Sequence, residues 1–516
     1  MFRKNLLISA IILGFSGGSF AASTLSDSQI TKMNLSELRS ALDKKDITSE
    51  QIVSAYMAAI NKDDRQGKKI KALITLNPDA LSQAKAWDEA DHGGKANAPL
   101  AGIPFIAKDN FDTKDILTTG GNLALETNKP AKNAFVIEKL LNEGAILIGK
   151  ANMSELAASY GWMGYSSVGG QTVNPYNPLR DTSGSSSGSA AAVAAGFAPF
   201  ALGTDTSGSI RGPASVTGTV GLRPTLGLTS RSGVIPLSLT ADNVGAITRT
   251  VSDQAIVLDA IRGMDPNDRA TEFVKQPVDN FSHSVASGSL KGKKFAVLDN
   301  FDGGNPAVDR IKNEAVNQLI HDGASVTHIH LPAEFENLWS LVLGPVGTAE
   351  FRPQFDAYLA TLGNDQPKNS TEFLSVLNKL TDNGKKTINP GRYKGLIESI
   401  GTTTTDSPEY IGILTQRIPH LRSELLKIVQ EGGYDAIIFP TMSCPASVIH
   451  GKSDKNYICK SVDSYAASYI ASSTGFPEIT VPAGKAVGNV PVGFSFMGKA
   501  GDDLKIMQFA YQFEKK

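Results

Sequence analysis

Through the first ninety or so positions, apolar residues recur three and four apart, the period of helices with one buried face. Leu35, Leu38 and Leu42 predict an amphipathic helix over 34–42. A second helix starts at Thr48, whose capping box is completed by Gln51 three residues later. Its apolar face is Ile52, Ala55, Tyr56, Ala59 and Ile60, and a third helix over 77–90 turns Leu81, Ala84 and Trp87 inward. Near residue 100 the pattern changes to short apolar runs bounded by turn residues: 100–107, 144–150, 293–298, 435–440, 479–482 and 492–496. Runs of this length read as buried strands. Helices fall between them, over 135–143, 251–261 and 504–513, while 303–425 is mostly helical and polar. Helix alternating with buried strand predicts an α/β architecture.

The N-terminus departs from this pattern. Arg3 and Lys4 precede an apolar run over 6–15, and small residues lead out through Ser19-Phe20-Ala21. A basic start, a short apolar core and a small-x-small exit describe a secretory signal peptide over 1–21, followed by a mature chain over 22–516. The run is well short of the ~20 residues that span a bilayer, and a retained anchor is the alternative. After cleavage no stable membrane insertion is expected, and the destination is the periplasm or the medium. At 41% hydrophobic and 20% charged the chain is ordinary globular material. Its formal net charge of −1, two lower without Arg3 and Lys4, argues against a nucleic-acid partner. The two cysteines, Cys444 and Cys459, are close enough in sequence for a disulfide outside the cytosol. Sequence does not give the Cα separation that such a bond requires, so two free thiols remain the alternative.

Chemistry concentrates in one small-residue region. Thr182-Ser183-Gly184-Ser185-Ser186-Ser187-Gly188-Ser189 and Asp205-Thr206-Ser207-Gly208-Ser209-Ile210-Arg211 flank an Ala-rich run from 190 to 196. Composition alone describes a linker. A linker, however, does not run into an apolar helix and repeat its chemistry beyond it, whereas glycine admits close backbone approach and serine supplies a nucleophile. The segment 144–150 has the Gly and Lys spacing of a phosphate loop, yet Ala151 stands where Ser or Thr should hold magnesium, and Ala-Ile-Leu-Ile belongs in a strand. Ser82-Gln83-Ala84-Lys85 matches one β-lactamase motif without its companions and reads as a helix surface.

A serine needs a base. None of His92, His283, His321, His328, His330, His420 and His450 lies in the Gly/Ser region, and no His/Cys/Glu cluster has metal-ligand spacing. His328 and His330 alternate along a strand edge and read as surface residues. Lys108, at the end of the apolar run 100–107, is the remaining candidate. At the reference pKa of about 10.4 only about one lysine in two thousand is neutral at pH 7. Bringing the value to about 7 costs the ammonium form roughly 4.6 kcal/mol, within what burial and neighbours provide.

At these residues the chain resembles the amidase signature hydrolases. The matching blocks are 100–105 with Lys108-Asp109, then 144–150 with Asn152, Met153 and Glu155, then 183–191, 203–211, Gly221-Leu222-Arg223-Pro224-Thr225 and 477–498. The resemblance implies a single large α/β domain whose mixed, mostly buried sheet is covered by helices on both faces. It implies a signature core at about 100–236 and a variable substrate-side region at about 265–430. It puts the nucleophile at Ser209, the bridging serine at Ser185 beside a cis peptide bond, and the base at Lys108. Backbone N–H groups of Thr206, Ser207, Gly208 and Ser209 would form the oxyanion hole, with Asp205 and Arg211 bracing the loop. Ser207 stands where the family commonly has glycine. No cofactor and no metal are implied, and the partner is a small-molecule or peptide amide. The implied activity is hydrolysis of a carboxylic amide, with a peptide amidase as the suggested branch. The alternatives are an inactive exported binding protein and a glutamine-hydrolysing amidotransferase component of the A type.

Overall fold

Helix ends form where their capping signals stand. In the computed structural model, which describes residues 25–277, 279–381, 387–402 and 405–515, Asn34 caps Leu35–Asp43 and Thr48 caps Ser49–Ala59. Their side chains accept from Glu37 N–H at 2.8 Å and Gln51 N–H at 3.2 Å, and Glu37 and Gln51 return the bond to the cap amides. The third helix is shorter than its period suggests, Ala80–Glu89, because Asn77 is held in a turn by its bond to Leu147 O at 2.7 Å. Ala80 and Ala84 face the core, which rotates Leu81 about 100° from Ala80 and away from the core. Leu81 is 44% exposed, a correction to the inward position expected for it, while Trp87 is half-buried. The expected signal peptide, 1–21, lies outside the described residues.

Thirteen strands follow one another along the described chain. The first eight are β1 (Leu73–Leu76), β2 (Pro104–Lys108), β3 (Ile146–Ala151), β4 (Tyr165–Ser166), β5 (Gly170–Gln171), β6 (Phe200–Asp205), β7 (Val220–Arg223) and β8 (Asn243–Thr248). The others are β9 (Lys294–Leu298), β10 (Ser325–Ile329), β11 (Ala436–Pro440), β12 (Glu478–Ala486) and β13 (Val490–Met497). Apart from the β4–β5 ribbon they form one 11-stranded sheet, in the order β1-β3-β2-β6-β8-β7-β12-β13-β11-β9-β10. The sheet is mixed: β2 runs parallel to β3 and β6, β9 runs parallel to β10 and β11, and β6, β8, β7, β12 and β13 pair antiparallel in turn.

Helices flank the sheet. Neighbouring residues of a strand point to opposite faces. On β13 a Cβ at Gly493 would meet Ser215 of the helix Arg211–Thr217, whereas Phe494 and Phe496 pack on Phe513 of the helix Asp503–Glu514. The chain is one large α/β domain, and among its described residues no helix is long and apolar enough to cross a membrane. Cys444 and Cys459 are joined, with their Cα atoms 5.5 Å apart.

The topology also fixes where the Gly/Ser region falls. The Ala-rich run forms the helix Ser187–Ala194, which packs on β6 and leads directly into it. A helix that returns to the start of a strand begins beside that strand's end. Ser185 therefore lies near the turn after Asp205, and β2, parallel to β6, delivers Lys108 to the same edge.

Candidate active site

Lys108 is wholly buried at the last position of β2. Its Nζ donates to Ser185 Oγ at 2.8 Å, to Thr204 Oγ1 at 2.7 Å and to Thr204 O at 3.4 Å. Asn110 Nδ2 donates to the same Thr204 hydroxyl at 3.1 Å. Burial pulls the ammonium down to about 7, and the Asp205 and Asp242 carboxylates offset only part of that. A lysine at this value is half neutral near pH 7 and can both accept and return a proton.

Ser185 is buried, and the Gly184–Ser185 peptide bond is cis. Ser209 joins the same locus through its backbone, Ser186 N–H donating to Ser209 O at 3.1 Å. Its side chain lines a cleft of about 410 Å³, and among the described residues its Oγ has no hydrogen-bond partner. Gly208, at φ +105°, takes the left-handed backbone of the loop; a Cβ there would stand 2.9 Å from Ser468 Cβ. Ser207 needs no such conformation, so the serine that replaces the usual glycine fits the turn. Of the four amides read as oxyanion donors, that of Gly208 is engaged, donating to Asp205 Oδ1 at 2.9 Å. The Ser207 and Ser209 N–H groups have no acceptor among the described residues.

Asp205 gathers the turn around one carboxylate. It accepts from Gly208 N–H, from Ile210 N–H at 3.0 Å and from Arg211 Nε at 3.0 Å and Nη2 at 2.8 Å. Arg223 adds a contact at 3.1 Å, and Arg211 also pairs with Glu478 of β12. Burial raises the Asp205 carboxyl, but the Arg211 and Arg223 guanidiniums and the Ile210 amide outweigh it and hold the group below the usual carboxylate range. On the other side of the cleft Tyr465 Oη bonds Ser183 Oγ, accepts from Gly184 N–H at 3.2 Å and donates to Gly184 O at 3.3 Å.

Thr204, Asn110, Tyr465, Arg223 and Glu478 were not singled out by their chemistry in the sequence. Thr204 stands inside the matched block 203–211, directly before Asp205, and adjacency alone could have flagged it. Tyr465 is separated from Ser183 by 282 positions, and no local pattern marks it. The segment 144–150 is strand β3. Its Lys150 is buried and donates to Phe111 O at 2.8 Å and Thr118 Oγ1 at 2.7 Å. His328 is exposed on the edge strand β10, 3.0 Å from Asp299. No histidine lines the cleft among the described residues.

A buried lysine bonded to a serine, with a second serine on a glycine turn at the edge of a mixed sheet, puts a candidate base beside two candidate nucleophiles. The family model described as Amidase matches residues 51–507. A probable amidase of Arabidopsis thaliana is 32% identical over 527 residues, covering 99% of this chain and 95% of that protein. The A component of glutamyl-tRNA(Gln) amidotransferase from Dehalococcoides mccartyi is 34% identical over 498 residues, covering 94% of this chain and 97% of that one. Among solved structures, native peptide amidase from Stenotrophomonas maltophilia matches with a TM-score of 0.83 at 31% identity, over 94% of this chain and 96% of that one. The chain belongs to the amidase family and is an amide hydrolase.

Proposed function

We propose that the chain is an exported amidase that cleaves a carboxylic amide to acid plus ammonia or amine through an acyl-enzyme on Ser209. The observation that carries this reading is the hydrogen bond, 2.8 Å long, from the buried Lys108 Nζ to Ser185 Oγ. Neutral Lys108 takes the Ser185 proton, Ser185 takes the Ser209 proton, and Ser209 Oγ adds to the amide carbon. The oxyanion is received by N–H groups of the turn, with those of Thr206, Ser207 and Ser209 in the leading position because Gly208 N–H serves Asp205. Asp205 and Arg211 brace that turn. Collapse of the adduct breaks the C–N bond and returns the proton to the leaving nitrogen; water then attacks the acyl-enzyme by the same relay in reverse. The contact between Ser185 and Ser209 closes in the substrate complex, as catalytic hydrogen bonds commonly do.

Within the family we favour a peptide or other extended amide over free glutamine. Arg392 lines the cleft, but no Asp or Glu side chain does among the described residues, so the α-ammonium of glutamine has no acidic partner there. The region 265–430 supplies Trp339, Leu343, Gly347 and Phe351 to the cleft, which supports its role on the substrate side. Export rests on the N-terminal pattern over 1–21 and is favoured by the joined Cys444 and Cys459. Ammonia release from the purified chain, across short aliphatic amides, peptide amides and glutamine, tests the assignment. Ser209→Ala should abolish release from every amide while the fold is retained. Turnover equal to the unmodified chain would remove Ser209 from the nucleophile role, and a preference for glutamine would restore the amidotransferase reading. N-terminal sequencing of the mature protein from the periplasm or medium tests export; an intact N-terminus inside the cell would refute it.

A further inference from the structure

We infer that the cleft beside Ser209 selects amides whose acyl part carries a bulky, uncharged apolar or aromatic group, and that Gly347 sets the depth of that subsite. The inference rests on the amidase reading and adds to it the class of acyl group.

The helix Gly344–Ala360 turns Gly344, Gly347, Thr348 and Phe351 to the cleft, positions that share one helical face. Gly347 is the informative one. It has no left-handed backbone to justify glycine, and glycine is the poorest helix former after proline. A Cβ placed there would meet nothing within 4 Å. What the glycine preserves is therefore open space on the cleft wall. Two large aromatics line the same cleft, Trp339 and Tyr160, and each remains 49% exposed. Trp339 rests against Tyr469 with ring centroids 5.7 Å apart, leaving ring surface for a second apolar partner. The cleft volume of about 410 Å³ lies within the range of sites that enclose a substrate of several functional groups.

The one charged side chain of the lining, among the described residues, is turned to another use. Arg392 donates through Nε to Glu155 O and through Nη2 to Leu156 O, both at 3.2 Å. Its guanidinium also lies 5.1 Å from the Phe351 ring and 5.9 Å from the Tyr160 ring. These contacts support the wall at Leu156 and Ala157, two non-glycine residues at positive φ. A guanidinium committed to two carbonyls and two ring faces is a brace, and the rest of the described lining is uncharged, with aromatic and apolar side chains beside serine and threonine hydroxyls.

The test compares kcat/KM for N-acetylphenylalaninamide, propionamide and glutamine in the unmodified chain, in Gly347→Leu and in Trp339→Ala. The unmodified chain should favour N-acetylphenylalaninamide over both others. Gly347→Leu should lower the ratio of N-acetylphenylalaninamide to propionamide at least about tenfold, the scale on which a misfitted apolar group is rejected. Trp339→Ala, which leaves the helix sequence intact, should lower the same ratio. Circular dichroism of each variant confirms that the fold is retained. An unchanged ratio in both variants, or a preference of the unmodified chain for glutamine, overturns the inference. Failure of the unmodified chain to release ammonia from any of the three would instead count against the amidase reading itself.

Discussion

Replacing Lys108 by methionine tests the base and its environment together. The lysine is wholly buried and its value falls from 10.5 to about 7, with burial as the main cause. In the unfolded chain it returns to the ordinary value. The folded value lies below the unfolded one, so between about pH 7 and pH 10.5 the unfolded chain binds a proton that the folded chain lacks. Stability therefore rises with pH through that window, at up to about 1.4 kcal/mol per pH unit. The whole span corresponds to about 5 kcal/mol, of which about 2 kcal/mol falls between pH 7 and pH 9. Methionine matches the stem of the side chain and does not titrate.

Methionine also removes the donor to Ser185 Oγ and Thr204 Oγ1, a loss of about 1 kcal/mol for each bond that is independent of pH. Only the slope isolates the proton. Urea unfolding of the unmodified chain and of Lys108→Met, followed without reductant at pH 7, 8 and 9, gives the stability difference at each pH. That difference should move by about 2 kcal/mol in favour of the unmodified chain from pH 7 to pH 9. Other titrating groups occur in both proteins and cancel. In the unmodified enzyme kcat/KM should fall below pH 7 with an apparent pKa near 7, and Lys108→Met should be inactive. Parallel stability curves would mean that Lys108 stays charged in the folded chain, and the lysine could not then serve as the base.

Arg211→Ala leaves the Asp205 and Glu478 carboxylates buried without their shared partner and should cost about 3–5 kcal/mol, read as a lowered urea midpoint; an unchanged midpoint would deny the network a structural role. Tyr465→Phe removes the hydroxyl that joins Ser183 to Gly184, and should lower kcat/KM with about 1–3 kcal/mol of stability while circular dichroism stays the same. Thr48→Ala breaks an N-cap remote from the cleft and should cost about 1 kcal/mol with kcat/KM unaltered. A loss of activity from that change would show that the N-terminal helices reach the site.

Elements whose signals are local were legible in the sequence. Thr48 with Gln51 marked a helix start, and the helix Val251–Ile261 has the bounds that its period predicts. The strands β6, β7 and β8 were not read from the sequence, and in each a glycine interrupts the apolar residues where another element presses close. A Cβ at Gly203 would stand 2.9 Å from Ser186 Oγ, one at Gly221 2.7 Å from Ala214 Cβ, and one at Gly245 2.2 Å from Leu222 O. Tight packing thus shortens the apolar runs of those strands. The family resemblance put candidate roles on Lys108, Ser185 and Ser209 through compact sequence blocks, and the structure brings these residues to one edge of the sheet. Trp339, Arg392 and Tyr465 come from distant segments, and only the folded chain makes them neighbours of Ser209.

The charged residues behind the turn suggest why the site is built on a mixed sheet. Asp205 ends β6, Arg223 ends β7 and Glu478 begins β12, while Arg211 opens the helix after the turn. A buried ionic cluster is no stabler than a well-packed apolar one and is often less stable. Its distinctive property is direction: one carboxylate takes Gly208 N–H and Ile210 N–H on either side of Ser209, fixing the turn by two bonds of 2.9 and 3.0 Å. The same carboxylate raises the Lys108 value against the pull of burial, and Arg211 and Arg223 keep that carboxylate ionised. Loop geometry and part of the lysine's basicity therefore depend on one group. A change at Asp205 cannot alter one without the other, and this coupling binds the glycine turn to the lysine at the end of the neighbouring strand.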